Sequence, residues 1–307
     1  MQFNDNTPLE IVLKAIFDPY KESVSDVETI SAAIINKGLI HKEEDIINDH
    51  IAFRTLGVPN LGIKSLEKIF LAYGYQRKDA FYFEEKKLDA YWYAPPSPKY
   101  PRIFISELRV NDLTQNAQSI IKKHTQHIVK DPVDALNFDN PNEVGQFFYQ
   151  PLWEAPTVDD FLELGKESEY AAWVIYNRYY LNHYTISVHA LPEPYNKLEK
   201  FNAFLEEIGI VLNTAGGKTK TSKDGLLKQS SSVAKMVNAT FANGEQMKIA
   251  GSYVEFAERL PLPEFQTMDK SLLKREHLRE GFESANADKI FESTYDEQVK
   301  KTVTYHS

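Results

Sequence analysis

With 307 residues, 42% hydrophobic and 12% aromatic, the chain can bury one large core or two coupled halves and lacks the composition of a disordered protein. Its 35 basic and 44 acidic residues give a formal charge of −9 with no basic stripe, which argues against a nucleic-acid surface and leaves small anions as partners only where a few arginines converge. The absence of cysteine excludes disulfides, thiolate-bound zinc, iron–sulfur clusters and a cysteine nucleophile, so a metal would need histidine and oxygen ligands.

The first residues, Met1 to Asn6, carry no basic and apolar leader, and no apolar run approaches the roughly 18 residues needed to cross a bilayer. A cytoplasmic protein without membrane contact is expected. Apolar residues at helical spacing, Leu9, Val12, Ile16 and then Val27, Ile30, Ala33 and Ile34, predict a helical N-terminal cap over residues 1–48. A strand over about 49–56 follows, then a helix over about 63–74, a hairpin over about 79–94 turning near Glu85-Lys86-Lys87, and a strand over about 102–110. Residues 49–110 therefore read as a βαβββ module.

Residues 111–181 read as a mostly helical insertion. The first order then returns over 182–262: a strand over about 183–190, a helix over about 196–208, a strand near 226–234, a hairpin turning at Asn243-Gly244, and a strand through Glu255. The offset between His50 and His183 is about 133 residues. Thr214 to Thr219 lacks full phosphate-loop spacing and reads as a connection. Residues 263–307 read as a charged helical tail, which makes the fold class α+β.

Strand alternation puts His50, Ala52 and Arg54 on one face and Asp49, Ile51 and Phe53 on the other. In the second module His183, Thr185, Ser187 and His189 share a face, as do Tyr253, Glu255, Ala257 and Arg259 on the closing strand. Two histidines and one carboxylate on three strands are the donor set of a mononuclear non-haem iron site, with His50, His183 and Glu255 as its candidates. A lone histidine on a strand is most often only solvated; two at equivalent repeat positions are the stronger signal. Arg54, about 13 Å along the strand from His50 by strand rise, could return to clamp a substrate carboxylate. Glu107, on the matching strand of the first module, has three readings: a fourth ligand, a hydrogen-bond acceptor behind the ligands, or an ion-pair partner of Arg109. The second is favoured. His41, His124, His127, His277 and His306 are expected at the surface, and His189 is too far along its strand to be a ligand. Gln229, Ser231 and Tyr253 are candidates for pocket walls on alternation grounds, with core roles equally open.

At these residues the sequence resembles the 2-oxoadipate dioxygenase/decarboxylase family of vicinal-oxygen-chelate-like metalloenzymes. The matching stretches are Asp49-His50-Ile51-Ala52-Phe53-Arg54-Thr55, Asn182-His183-Tyr184-Thr185 and Tyr253-Val254-Glu255-Phe256-Ala257-Glu258-Arg259, with Pro101 to Leu108 in support. The resemblance implies modules closing into a half-open barrel around a metal, Fe(II) held by His50, His183 and Glu255, and a substrate carboxylate bound by Arg54. It implies conversion of 2-oxoadipate and O2 to 2-hydroxyglutarate and CO2, a late step of lysine breakdown. The chain is shorter than bacterial members of that family, ending soon after the Glu255 strand, so residues that select the substrate from a larger C-terminal region have no clear match. Two other readings keep the scaffold: a glyoxalase-type isomerase or lyase using Zn, Ni or Mn with Glu107 as fourth ligand, and a non-catalytic binding protein.

Overall fold

The computed structural model describes Phe3 and residues 6–304, the last three as backbone only; His306 lies outside them. Two helices open the chain. α1 (Pro8–Ser23) starts where Thr7 Oγ1 accepts from Glu10 N and Pro8 supplies a preset φ, and it buries Leu9, Val12, Leu13, Ile16, Phe17 and Tyr20. α2 (Ser25–Asn36) buries Val27, Ile30 and Ile34. The Tyr20 hydroxyl donates to the Tyr253 carbonyl, pinning this cap to the strand that carries Glu255.

The first module comprises β1 (Asn48–Leu56), α3 (Ile63–Ala72), β2 (Gln76–Phe83), β3 (Leu88–Ala94) and β4 (Arg102–Leu108). The helical insertion holds α4 (Gln115–Thr125), α5 (Pro141–Phe147), α6 (Val158–Glu167) and α7 (Glu169–Asn177). The second module comprises β5 (His183–Ser187), α8 (Leu198–Glu207), β6 (Lys220–Thr221), β7 (Leu227–Ser231) and, after a separate hairpin of β8 (Met236–Thr240) and β9 (Gln246–Ala250), β10 (Tyr253–Arg259). The C-terminal segment holds α9 (Ser284–Ile290) and α10 (Asp296–Thr304).

Among the described residues eight strands form one curled half-barrel sheet in the order β2-β3-β4-β1-β5-β10-β7-β6, and β8 and β9 pair only with each other. The order 2-3-4-1 is mirrored by 6-7-10-5, so the duplication is real, with β1 and β5 meeting antiparallel at its centre. All nine β1 residues and all seven β10 residues are buried, because both faces of these central strands are covered. Edge strand β2 is mostly exposed.

Three expected elements change. The Asn243-Gly244 hairpin is an insertion outside the main sheet, and the short β6 takes the edge place expected of it. β5 ends at Ser187, and Val188–Ala190 form a single 3-10 turn. The tail is not merely a charged appendage: α9 touches β2 at one end of the sheet and β6 and β7 at the other, bridging the open side of the half-barrel. His124, expected at the surface, is only 8% exposed and lies 2.9 Å from Asp160 Oδ2.

The register also reassigns Glu107. His50 pairs with Arg102 and His183 with Tyr253, so the repeat equivalent of Glu255 is Phe104, and that of Glu107 is Glu258. Both latter carboxylates hold the N-terminus of a crossover helix: Glu107 Oε2 accepts from Ile63 N at 2.7 Å, Glu258 Oε2 from Leu198 N at 2.8 Å. A Cβ on Gly62, at φ +83°, would sit 2.0 Å from Glu107 Oε2, which is why glycine precedes α3. Arg109 pairs with Asp89 and Asp112 instead. The substitution Glu107→Ala is expected to cost about 1–2 kcal/mol in urea unfolding while bound metal is unchanged. Loss of metal in that variant would return Glu107 to the site.

Candidate metal centre

The three central strands bring the candidate ligands together through two-residue steps of register. His183 lies opposite Ala52, two residues from His50, and Glu255 lies opposite Thr185, two residues from His183. Side chains two apart on a strand share a face, so the three converge in the curled sheet. One donor atom from each of His50, His183 and Glu255 lies within 4.8 Å of the others, and all three residues are buried. Glu255 Oε2 is 3.3 Å from His50 Nε2 and 3.0 Å from His183 Nε2.

Each histidine is oriented by its preceding residue. His50 Nδ1 lies 2.8 Å from Asp49 Oδ1, and His183 Nδ1 lies 3.0 Å from Asn182 Oδ1. Because these oxygens only accept, Nδ1 carries the proton in each neutral ring and Nε2 offers its lone pair inward. Alternation had set Asp49 on the face opposite His50; the pairing of β1 with β5 shifts register between Asn48 and Ile51, and there Asp49 turns to its neighbour. Asp49 is held in turn by Arg259, at 2.6 and 2.8 Å, and by Arg102 at 3.3 Å. Burial would raise its carboxyl, but the two guanidinium charges outweigh that and hold it well below the usual range.

The same competition sets the ligands. Burial opposes the charge on Glu255, yet the His50 charge and the close approach of both imidazoles hold its carboxyl down at about 2. Burial would lower His50, but Glu255 and Asp49 raise it, whereas burial prevails at His183 and lowers it. Among the described residues His183 Nε2 has no aligned hydrogen-bond partner despite its burial, Glu255 Oε2 lying 3.0 Å away out of line. Two inward imidazole lone pairs, an ionised carboxylate and an orphaned buried nitrogen together fit a divalent transition metal.

The pocket around this triad is lined also by Arg54, Phe104, Ser106, Gln229, Tyr253, Phe282, Ile290 and Phe291. Arg54 Nη1 donates to Thr294 Oγ1 at 2.8 Å and Nη2 to the Phe291 carbonyl at 2.9 Å, both C-terminal groups, while Nε is buried and unpaired. Its guanidinium lies 5.1 Å from the Tyr170 ring and 5.3 Å from the Trp173 ring. Tyr253 packs its ring 4.7 Å from His183, with its hydroxyl buried and unpaired. Gln229 Nε2 donates to Glu255 Oε1 at 2.6 Å. Ser231 does not line the pocket: its hydroxyl lies 2.8 Å from Ser293 Oγ. His189 is also away from the triad, with Nδ1 accepting from Arg259 N.

Asp49, Asn182, Phe282, Asn286, Phe291 and Thr294 were not singled out by the sequence reading. For Asp49 and Asn182 a signal existed, since an acceptor side chain directly precedes each candidate histidine. For the C-terminal residues no local pattern marks their return to the sheet.

The profile of the 2-oxoadipate dioxygenase/decarboxylase family matches residues 12–275. The chloroplastic 2-oxoadipate dioxygenase/decarboxylase of Arabidopsis thaliana is 44% identical over 270 residues, covering 84% of this chain and 71% of that protein. The crystal structure of hydroxyglutarate synthase in complex with 2-oxoadipate from Oryza sativa superposes with a TM-score of 0.85 at 40% identity, covering 94% of this chain and 92% of that one. A glyoxalase-superfamily protein from Ralstonia eutropha JMP134 matches with a TM-score of 0.68 at 17% identity over 91% of this chain and 87% of its own, a likeness of fold alone. Among the described residues no helix is long and apolar enough to cross a membrane.

Proposed function

The chain belongs to the 2-oxoadipate dioxygenase/decarboxylase family, and from that membership we propose that it is an Fe(II) enzyme converting 2-oxoadipate and O2 to 2-hydroxyglutarate and CO2. The observation that carries this reading is the buried triad of His50, His183 and Glu255. Two histidines and one carboxylate are the donor set of oxygen-activating non-haem iron. When bound, Fe(II) supplies the electrons and Lewis acidity that cleavage of O2 and loss of CO2 require.

The chain's own residues supply position and dryness. Asp49 and Asn182 keep both Nε2 lone pairs aimed inward. Arg54, with its unpaired Nε, is proposed to bind a substrate carboxylate, with Tyr253 and Gln229 beside it, and Phe282, Ile290 and Phe291 to exclude water. Atom balance places both oxygens of O2 in the product. One completes the carboxylate made from the former keto carbon, and the other becomes the hydroxyl on the adjacent carbon, while the C1 carboxylate leaves as CO2. The space among these side chains is narrow for a six-carbon dicarboxylate, and the segment that supplies Phe282, Ala287, Ile290 and Phe291 to its wall is proposed to move when substrate enters.

The test is anaerobic reconstitution with Fe(II), then oxygen uptake with 2-oxo acids of increasing chain length. Uptake should be fastest with 2-oxoadipate, with CO2 released in equal amount, and Zn(II) or Mn(II) should not replace iron. Absence of uptake with every acid would overturn the proposal. For the compartment we propose the cytoplasm, to be checked by fractionation of source cells against a plastid marker, since the Arabidopsis relative is named as chloroplastic.

A further inference from the structure

We infer that Gln229, held in one orientation by Asn286 of α9, keeps Glu255 a one-oxygen ligand, so that closure of the C-terminal segment over the pocket also sets the metal site. The inference rests on Glu255 being a metal ligand, as proposed above. Only Oε2 of Glu255 turns toward the histidines; Oε1 is taken by Gln229 Nε2 at 2.6 Å. An ionised carboxylate can only accept, so Gln229 must present its amide nitrogen there and its Oε1 on the far side. That Oε1 accepts from Asn286 Nδ2 at 3.0 Å.

The other end of the chain is determined independently. Asn286 Nδ2 also lies 3.5 Å from the Leu227 carbonyl, which can only accept, so the nitrogen and not the oxygen of Asn286 faces this way. Donor polarity thus runs from Asn286 through Gln229 to Glu255 without an alternative. Asn286 and Gln229 are each 2% exposed and Glu255 is 1% exposed, so water does not substitute for a lost partner. For Glu255 to bind through both oxygens, Oε1 would have to leave a buried amide donor unpaired. A one-oxygen carboxylate keeps an additional coordination position free for a chelating acid.

Asn286 sits on α9, in the segment proposed above to move when substrate enters. α9 is tied to the other module by Lys86 Nζ, 3.1 Å from Asp288 Oδ1. Displacing α9 removes the donor that orients Gln229, and its return restores it. Asn286 and Gln229 are positioning residues in this arrangement.

The test uses Co(II) in place of iron, without oxygen or 2-oxoadipate, and oxalate as a two-oxygen chelator. Wild type, Gln229→Leu, Asn286→Asp and Asn286→Ala are compared by visible absorption. Gln229→Leu frees Oε1, and Asn286→Asp sets an acceptor against Gln229 Oε1, so both should weaken the Co(II) band and lower oxalate affinity by roughly 10–100-fold. Asn286→Ala should shift in the same direction by less, and it decides the matter if Asn286→Asp does not fold. Wild-type spectra and oxalate affinity in the variants that fold would overturn the inference. Failure of wild type to bind Co(II) at the triad would instead overturn the ligand assignment, a separate result.

Discussion

Glu255→Ala should lose bound iron and, with it, all oxygen uptake. Loss of a residue that merely orients a ligand costs roughly 10–100-fold in metal affinity, so loss of a ligand itself should exceed roughly 10²-fold. Metal analysis after anaerobic gel filtration checks this, and stoichiometric iron in the variant would contradict the assignment. The metal-free protein offers a second readout. Glu255 is held at about 2 against an ordinary 4.5, so its stabilisation is present above about pH 4.5 and is lost as pH falls through 2. Metal-free wild type should therefore lose stability across that window, and this part of the slope should vanish in Glu255→Ala.

Arg54→Met should separate binding of substrate from binding of metal. The guanidinium is 1% exposed and, among the described residues, makes no ion pair with a carboxylate; its bonds go to Thr294 and the Phe291 carbonyl. A buried cation whose hydrogen bonds go to neutral groups is poised for an anion. Losing a buried charge contact costs about 2–5 kcal/mol, so kcat/KM for 2-oxoadipate should fall roughly 10²–10³-fold. Iron content should stay at the wild-type level. Methionine retains length and apolar contact with Tyr170 and Trp173, which limits loss of packing. Unchanged kcat/KM in a folded, iron-loaded variant would remove Arg54 from substrate binding.

The histidines were legible because a strand has a period of two and each opened a repeat of the same order. Glu255 was legible as the carboxylate on the closing strand and ranked ahead of Glu107, but the repeat partner of Glu107 was not legible. Spacing alone aligned Glu107 with Glu255, whereas hydrogen-bond register aligns it with Glu258 three residues later. One slip of this kind separates a candidate metal ligand from a helix cap. Likewise, Asn243-Gly244 marked a hairpin correctly and its sheet incorrectly, because turn chemistry is local and strand partnership is not.

What the amino-acid sequence by itself determined was the donor set, the duplicated strand order and the exclusion of every thiolate chemistry. These depend on residue type and on periodicities within a few residues. Only the tertiary structure decided that Asp49 turns to His50, that Arg54 is covered by the residues around Thr294, and that α9 bridges the half-barrel over Gln229 and Glu255. The C-terminal groups come from positions more than 200 residues beyond His50 and Arg54 in the chain, and nothing in their local pattern records which buried polar atom they will meet. Their placement follows from the need to close the open side of the sheet and pair its buried polar groups, a condition satisfied by the whole fold at once.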